Sequence, residues 1–208
     1  MSREILERYL DELYRWNERI NLTTVTRDDA WQRHVGESER LLAVATPALR
    51  VRCADIGSGG GIPGLVIAIL RPDLRVTLIE SDQRKAGFLA HAAAVCECEG
   101  VEVVSARAEE VGQDPAHRGR YDLVTSRATA SSPVLTELAL PLLPVGGRMA
   151  VLVTDAAEEA RVCRAAADVC GGAVPTAMAP TVLVVEKVAA TPETYPRRVG
   201  VPRRKPLR

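Results

Sequence analysis

Five glycines lie within residues 55–65, in the stretch "DIGSGGGIPGL", which begins with an aspartate and has a proline near its end. Glycine has no Cβ, so its backbone adopts left-handed conformations and a ligand can approach its peptide N–H group closely. Where such a turn joins a strand to a helix, the free N–H groups at the helix start also face the ligand. We therefore predict that these residues form a ligand platform.

Two cofactor classes use a platform of this kind. Gly59, Gly61 and Gly64 match the dinucleotide pattern G-x-G-x-x-G. Counted from the predicted end of the strand, Asp55, Gly57, Gly59 and Gly61 read D-x-G-x-G-x-G, which resembles the first motif of S-adenosylmethionine (AdoMet) methyltransferases. An aspartate attracts the ammonium group of AdoMet but repels a pyrophosphate. The pattern favours AdoMet, with a nicotinamide dinucleotide as the alternative.

Charged residues follow the other predicted strands. Glu80 ends the second strand, where its carboxylate could accept both hydroxyl groups of a ribose in either cofactor. Ala108 and Glu109 follow the third strand and could reach an adenine edge, although Glu109 also suits the start of a helix. Arg127 ends the fourth strand over the same crevice. Its alternative partners are a cofactor carboxylate, an RNA phosphate and an acidic neighbour.

Apolar periodicity indicates the elements that position these residues. Residues 3–19 have apolar side chains at steps of three and four, which predicts an amphipathic helix. A second helix is expected after "TRDD", with Asp28 or Asp29 as its N-cap. From Val51 onward, short apolar runs alternate with helical patterns. This alternation predicts an α/β fold, with a mostly parallel sheet and helices on both faces.

The chain should end in a helix over residues 156–169 and an antiparallel hairpin formed by "GGAVPTAM" and "TVLVVEKV". We expect a single domain of residues 1–208. Within it, 1–48 form an N-terminal helical extension, 50–190 form the cofactor-binding core, and 191–208 form a basic C-terminal tail.

Composition limits the classes of function. With 208 residues, of which 47% are hydrophobic, the chain can bury the core of one domain. The N-terminus is charged throughout and no apolar run is long enough to span a membrane, so we expect a soluble cytoplasmic protein. Five cysteines without an export signal indicate reduced thiols, and no metal site is predicted. Net charge is zero and indicates no partner.

The C-terminal tail is strongly basic. Residues 195–208 contain no acidic residue and these cations: Arg197, Arg198, Arg203, Arg204, Lys205 and Arg208. Such a segment is either a solvated, fraying terminus or an arm that contacts phosphates. If it is an arm, removing residues 196–208 should lower RNA affinity and leave cofactor binding intact.

The residues at the end of the fourth strand indicate which kind of atom could accept a methyl group from AdoMet. Methyltransferases that act on amino groups commonly carry an N/D-P-P-Y/F motif there, whereas this chain has "SRAT". The sequence also shows no serine–histidine–acid arrangement and no cysteine pair suited to covalent attack on a pyrimidine. A guanine N7 needs neither, because its lone pair is nucleophilic and carries no proton. Catalysis at N7 would depend on positioning, so no catalytic side chain is assigned.

Seven segments together resemble the RsmG (GidB) family of bacterial 16S rRNA guanine-N7 methyltransferases. In chain order they are "WNERINLTTVT", "RHVGES", "DIGSGGGIPG", "LIESDQRKAGFL", "RAEE", "SRA" and "YPRRVGVPRRKPL". The resemblance implies a class I AdoMet-dependent methyltransferase fold, which is Rossmann-like, and AdoMet as the methyl donor. The implied acceptor is the guanine at nucleotide 527, in the 530 loop of 16S rRNA. The expected partner is 16S rRNA or the 30S subunit, and the expected state is a monomer.

The resemblance also implies two sets of site residues. The cofactor-binding set comprises Asp55, Gly57, Ser58, Gly59, Gly61, Ile62, Glu80, Ala108, Glu109 and Arg127. The RNA-binding set comprises Arg33, His34, Arg197, Arg198, Arg203, Arg204 and Lys205. For His34 the alternative is a partly buried helical histidine, and it is not assigned as a base.

Two segments depart from the family's pattern. Glu37 stands where the family usually has an aspartate, which is a mild change. Val153 and Thr154 replace the lysine and glycine of a Leu-Lys-Gly segment. If that lysine holds rRNA, this protein relies more on its tail, or it is a paralogue that methylates another RNA or a small molecule. An NAD-dependent oxidoreductase is the remaining alternative.

Overall fold

The computed structural model of the protein describes residues 2–127 and 129–208, and its centre is a seven-stranded sheet. The strands are β1 (Arg52–Ile56), β2 (Arg75–Ile79), β3 (Val101–Val104), β4 (Leu123–Arg127), β5 (Arg148–Leu152), β6 (Thr176–Ala179) and β7 (Val182–Glu186). Their spatial order is β3-β2-β1-β4-β5-β7-β6. Only β7 runs antiparallel to its neighbours β5 and β6. The predicted mostly parallel sheet with an antiparallel terminal strand is therefore confirmed. Ala128, in the predicted "SRA" segment, lies outside the described residues.

Helices cover both faces of this sheet. They are α1 (Ser2–Asn17), a π-helical segment (Trp31–Gly36), α2 (Glu37–Ala45), α3 (Gly64–Leu70), α4 (Gln83–Val95), α5 (Ala108–Gln113), α6 (Ser132–Ala139), a 3₁₀ turn (Leu140–Leu142), α7 (Ala156–Val162), α8 (Arg164–Val169) and α9 (Val201–Arg204). Among the described residues, no helix combines the length and apolarity that a membrane span requires.

Two apolar cores lie on opposite faces of the sheet, because successive strand residues point to opposite sides. Cys53 and Ala150 belong to the core under α1, α3 and α4. Ala54 and Val151, their chain neighbours, belong to the core under α5, α6 and α8. The apolar face of α1 contributes the buried residues Leu6, Tyr9, Leu10 and Leu13 to the first core. The N-terminal helix is thus packed on the sheet layer.

The carboxyl edge of the sheet contains a topological switch point. β1 and β4 are neighbours at the centre, and the chain continues from β1 to β2 on one side and from β4 to β5 on the other. Ligands of open parallel sheets bind in the crevice that this reversal creates. The glycine turn after β1, Glu80 after β2 and Arg127 at the end of β4 all lie along this edge.

Two local expectations were wrong. The predicted helix over residues 156–169 is split into α7 and α8, because Cys163 (φ −90°, ψ 1°) leaves the helical conformation. The second helix begins with the π-helical segment after Ala30, which makes no side-chain cap. The carboxylate of Asp29 accepts a hydrogen bond from the Thr26 hydroxyl (2.8 Å) instead of capping that helix.

The C-terminal tail, residues 191–208, is folded onto the core. The guanidinium of Arg118 donates hydrogen bonds of 2.7–3.1 Å to the carbonyl oxygens of Thr191, Pro192 and Tyr195. Pro202, in α9, is buried. The interpretation of this segment as a fraying terminus therefore does not fit the structure.

Candidate active site

The glycine turn leaves the end of β1 in left-handed backbone conformations. Gly57, Gly59 and Gly61 have φ angles of +67°, +51° and +89°. A Cβ at Gly57 would collide with the side chain of Thr129, whereas a Cβ at Gly59 would meet only the Gly57 carbonyl, at 3.7 Å. Gly57 therefore permits close packing within the protein. Gly59 leaves open space for a ligand, because no side chain occupies it.

The N-terminal helix holds this turn from behind. The hydroxyl of Tyr9 donates a 2.6 Å hydrogen bond to the carbonyl oxygen of Gly60, and the Tyr9 side chain is fully buried. Burial raises the pKa of the Tyr9 phenol, so it stays a protonated donor. Sequence analysis did not assign Tyr9, although it lies on the predicted apolar face of α1. A buried hydroxyl on an apolar face indicates that it has a hydrogen-bond partner, but the sequence does not identify that partner.

Glu80 lies beside the glycine turn and is hydrogen-bonded to it. Its Oε2 accepts a hydrogen bond from the Gly59 N–H (2.9 Å), and its Oε1 accepts one from the Asp82 N–H (2.8 Å). Each carboxylate oxygen has a further lone pair, which could accept a ribose hydroxyl. The side chain is 8% exposed. This geometry is compatible with the role predicted for Glu80.

Asp55 lies beneath the turn and not in the crevice. Its Oδ1 accepts a hydrogen bond from the Thr125 hydroxyl (2.8 Å), and its Oδ2 abuts the backbone at Gly64. Within the described residues, Oδ2 is buried without a hydrogen-bond partner. Burial raises the pKa of Asp55 to about 6. The predicted cofactor-binding set includes Asp55, but this position gives it no direct contact with a ligand in the crevice. Asp55 can act on a bound cation only through its field.

One cleft, of about 1320 Å³, connects the features of the carboxyl edge. Of the predicted cofactor-binding residues, six line it: Gly57, Ser58, Gly59, Ile62, Glu80 and Arg127. Gly61 faces Leu65 and Leu89 in the core instead. The cleft is also lined by residues that sequence analysis did not assign to a site, namely Thr129, Ser132, Leu135, Leu152, Glu159 and Thr181.

A loop after α1 forms one wall of the cleft. Asn17 shapes this loop: its Oδ1 accepts hydrogen bonds from the N–H groups of Leu22 (2.8 Å) and Thr23 (3.0 Å), and its Nδ2 donates to the Thr23 carbonyl (3.0 Å). Residues 21–25 line the cleft. The "WNERINLTTVT" segment thus supplies both the loop and the asparagine that holds it.

Arg127 and the "RHVGES" segment are in contact with each other beside this loop. The Arg127 guanidinium donates to the Arg33 carbonyl (2.8 Å) and lies 3.4 Å from Glu37 Oε2 and 3.2 Å from His34 Nδ1. Arg33 lines the cleft and pairs with Glu37 (2.8 Å). His34 is fully buried, which argues against the predicted RNA contact and agrees with the alternative of a buried helical histidine.

The predicted adenine contacts lie at the start of α5. Arg107 lines the cleft there, whereas Ala108 is largely buried and the Glu109 carboxylate turns to the C-terminal tail. Glu109 Oε1 accepts a hydrogen bond from the N–H of Gly200 (2.9 Å). The adenine role of Ala108 and Glu109 stays a prediction. The hydrogen bond from Gly200 joins the tail to the start of α5.

The basic residues of the tail divide into two kinds. Arg197 does not face solvent as an RNA contact would. It donates three hydrogen bonds of 2.6–3.0 Å, from its backbone and guanidinium, to the carboxylate of Glu137, which is fully buried in α6. The remaining predicted cations are exposed: Arg198, Arg203, Arg204 and Lys205. Arg203 also lines the cleft, as do Val153 and Thr154.

This anchoring corrects the expectation for a truncated chain. Removing residues 196–208 would leave the Glu137 charge buried without its partner, which typically costs several kcal/mol. It would also remove Gly200 from Glu109. The truncation should therefore impair cofactor binding as well as RNA binding.

The donor set of the cleft fits a nucleoside cofactor that carries an amino-acid portion. Glu80 offers acceptors for ribose hydroxyls, and the open side of Gly59 allows a ligand to lie against the backbone. Arg127 offers a cation for a carboxylate. The cleft volume exceeds that of a typical small-ligand site, which leaves room for a second reactant.

Comparisons with known proteins identify relatives of this chain. A family model described as rRNA small subunit methyltransferase G matches residues 2–180. The ribosomal RNA small subunit methyltransferase G of Roseiflexus castenholzii is 43% identical, over 98% of this chain and 91% of the relative. The protein of the same name from Lactobacillus delbrueckii subsp. bulgaricus is 41% identical, over 96% of this chain and 89% of the relative.

Solved structures share the fold. TrmN from Thermus thermophilus is 25% identical with a TM-score of 0.53, over 73% of this chain and 48% of that one. The T. thermophilus 16S rRNA N2 methyltransferase RsmC, solved with AdoMet and guanosine, is 21% identical with a TM-score of 0.53, over 75% of this chain and 40% of that one. The likeness to RsmC supports the class I methyltransferase fold.

Proposed function

The chain belongs to the rRNA small subunit methyltransferase G family, and from that membership we propose that it methylates N7 of the guanine at nucleotide 527, in the 530 loop of 16S rRNA. AdoMet is the methyl donor of this family. The observation that carries the proposal is that one cleft is lined both by the glycine turn and Glu80 and by the exposed cation Arg203. Such a cleft can hold the donor and a base of the RNA together.

Different residues of the cleft are suited to bind different parts of AdoMet. When bound, AdoMet supplies an electrophilic methyl group on a positively charged sulfur. Glu80 is suited to orient the ribose, and the turn from Gly57 to Gly59 is suited to lie along the amino-acid portion. Arg127 is suited to bind the carboxylate. Glu109 and Ala108 remain proposed contacts of the adenine.

The acceptor end has the character of a pocket for a planar base. Leu135 and Leu152 supply apolar surface, and the hydroxyl groups of Ser132 and Thr181 supply hydrogen-bonding atoms. Guanine N7 attacks with its own lone pair, so the protein has no proton to remove. These residues hold N7 in line with the methyl group. The two reactants then react as parts of one complex, and the entropy cost of bringing them together is met on binding.

Exposed cations also border the cleft. Arg203 lines it, as do Val153 and Thr154 of the segment that departs from the family pattern, and Arg198, Arg204 and Lys205 lie close to Arg203 in the chain. Together they form a surface suited to the phosphates of the 30S subunit or of naked 16S rRNA. Binding should then weaken steeply with added salt. A cytoplasmic monomer is part of the same proposal.

The test is methyl transfer from labelled AdoMet to naked 16S rRNA and to 30S subunits, followed by mass spectrometry of the digested nucleosides. We expect 7-methylguanosine within the 530 loop. A matched RNA with 7-deazaguanine at the target has C–H in place of N7 and should accept no methyl group. Methylation of a different nucleoside, or unchanged methylation of the deaza RNA, would refute N7 as the acceptor.

A further inference from the structure

His34 is a fully buried histidine with a polar partner on each ring nitrogen. Nδ1 lies 3.2 Å from a terminal nitrogen of Arg127, and Nε2 lies 3.1 Å from the hydroxyl oxygen of Thr23. Arg127 ends β4, and Thr23 belongs to the loop shaped by Asn17. His34 therefore joins two walls of the cleft while it stays out of contact with solvent.

The partners determine the protonation state of the ring. A guanidinium can only donate, so Nδ1 must be the acceptor and must carry no proton. Nε2 then carries the proton and donates it to Thr23. Burial, followed by the charge of Arg127, lowers the pKa of His34 to about 4, in agreement with a neutral ring. A single tautomer satisfies both contacts.

The guanidinium of Arg127 is held by three groups of one helical region. Besides His34 Nδ1, these are the carbonyl of Arg33 (2.8 Å) and the carboxylate of Glu37 (3.4 Å). The region is π-helical from Trp31 to Gly36, a conformation often found at functional sites. Without His34, the remaining partners would hold the guanidinium through one nitrogen, Nη1, and the group could rotate.

We propose that His34 is a positioning residue for methyl transfer, which holds the Arg127 guanidinium in the orientation that faces the bound cofactor. The inference rests on the proposed function, since it places the cofactor beside Arg127. The second bond, to Thr23, holds the ring at a fixed distance from the loop of residues 21–25. His34 itself touches neither reactant.

Two near-isosteric substitutions separate the two contacts. In His34→Asn the amide oxygen occupies the place of Nδ1 and can accept from Arg127, but nothing reaches Thr23. In His34→Gln the amide nitrogen occupies the place of Nε2 and can donate to Thr23, but Arg127 loses its acceptor. We expect His34→Gln to weaken AdoMet binding and to lower kcat by about tenfold or more, and His34→Asn to stay within about threefold of wild type.

Further variants check that Arg127 is the target. In an Arg127→Lys background, which lacks the planar fork, His34→Gln should cause no additional loss. His91→Gln is the matched control, because His91 is more exposed and binds Glu12 outside the cleft; it should leave AdoMet affinity unchanged. Melting temperatures of all variants show whether a loss follows stability alone.

The outcomes are distinguishable. The proposal is overturned if His34→Asn is as impaired as His34→Gln or more, or if both losses follow the fall in melting temperature. AdoMet affinity is measured by calorimetry without RNA. If wild-type protein binds AdoMet but leaves the 530-loop guanine unmethylated, the proposed function fails while the affinities of the His34 variants still test the positioning role.

Discussion

At the scale of single residues, the glycine turn presents two different surfaces. Gly59 turns its bare Cα toward the cleft, whereas Asp55 lies beneath the same turn with one oxygen unpartnered. The first residue matters for the space it leaves. The second matters for the charge it brings into a buried site. Substitutions at the two positions should therefore fail in different ways.

Gly59→Val should abolish AdoMet binding because a branched side chain would fill the open side of the turn. The left-handed φ of +51° adds strain of about 1–3 kcal/mol. Gly119→Val is the matched control: Gly119 also has a left-handed φ, +66°, and no atom lies near its Cβ position. We expect similar stability losses, and loss of AdoMet binding in calorimetry for Gly59→Val alone. A folded Gly59→Val protein with normal affinity would contradict the site.

Asp55→Asn should alter how stability depends on pH. The folded pKa of Asp55, about 6, lies above its ordinary value of 3.8, so the folded protein retains a proton that the unfolded chain releases. Ionisation of Asp55 therefore removes up to about 3 kcal/mol of stability as pH rises from about 4 to about 6, and the neutral asparagine lacks this contribution. Urea unfolding of both proteins across this range measures the difference. Parallel stability curves would contradict the buried charge.

The same variant tests the role of Asp55 in binding. If its field attracts the ammonium group of AdoMet, Asp55→Asn should weaken AdoMet affinity at pH 7 even though it relieves the free protein of a buried charge. Such opposite effects on stability and affinity are expected of a residue kept for function.

At the scale of elements, the N-terminal helix contributes to the site without lining it. The apolar face of α1 joins the core, and Tyr9 on that face binds the Gly60 carbonyl. Asn17, at the last turn of the same helix, shapes the loop that forms a wall of the cleft. The helix therefore positions both the floor and one side of the cofactor end.

Tyr9→Phe should destabilise the protein by about 1–3 kcal/mol, because the Gly60 carbonyl stays buried and loses its donor. AdoMet affinity should fall as well, since the turn loses its support. Tyr121→Phe is the control: it removes another buried tyrosine hydroxyl, one bound to His117 (2.6 Å) away from the cleft. Calorimetry should show weaker AdoMet binding only for Tyr9→Phe. If both variants bind AdoMet with the same affinity, α1 does not support the cofactor site.

At the scale of the whole molecule, the C-terminal tail closes the fold. Arg197 neutralises the buried Glu137, and Gly200 binds Glu109 at the start of α5. The arginines at 198, 203 and 204 are exposed. One basic segment thus contributes to stability, and we propose that its exposed residues bind the RNA substrate.

Arg197→Ala and Arg198→Ala form a matched pair that separates these roles. Arg197→Ala should cost about 3 kcal/mol or more, because it leaves the Glu137 charge unpaired in the interior. Arg198→Ala should change the unfolding free energy by less than about 0.5 kcal/mol, because Arg198 is exposed. The Arg198 variant should bind 16S rRNA with a smaller salt dependence. Urea unfolding and RNA titrations at several salt concentrations measure both. Equal stability losses would contradict the buried ion pair.

Much of this protein follows from local sequence. Alternating apolar runs and helical patterns predicted the sheet, because burial of a strand or helix face imposes its own period on the chain. The position of the glycines after β1, and of Glu80 and Arg127 after β2 and β4, predicted the shared edge. Parallel strands bring their carboxyl ends to one side, so chain order alone places these residues together.

Tertiary structure decided the partners of individual side chains. Arg127 and His34 are 93 residues apart, Glu109 and Gly200 are 91 apart, and Glu137 and Arg197 are 60 apart. Apolar periodicity does not indicate such contacts. The sequence therefore did not distinguish the tail arginine that pairs with a buried carboxylate from the exposed ones, or a buried histidine from one at the entrance. Burial sets the protonation of His34 and Asp55 for the same reason. It depends on what the fold packs around a group and not on the residues beside it in the chain.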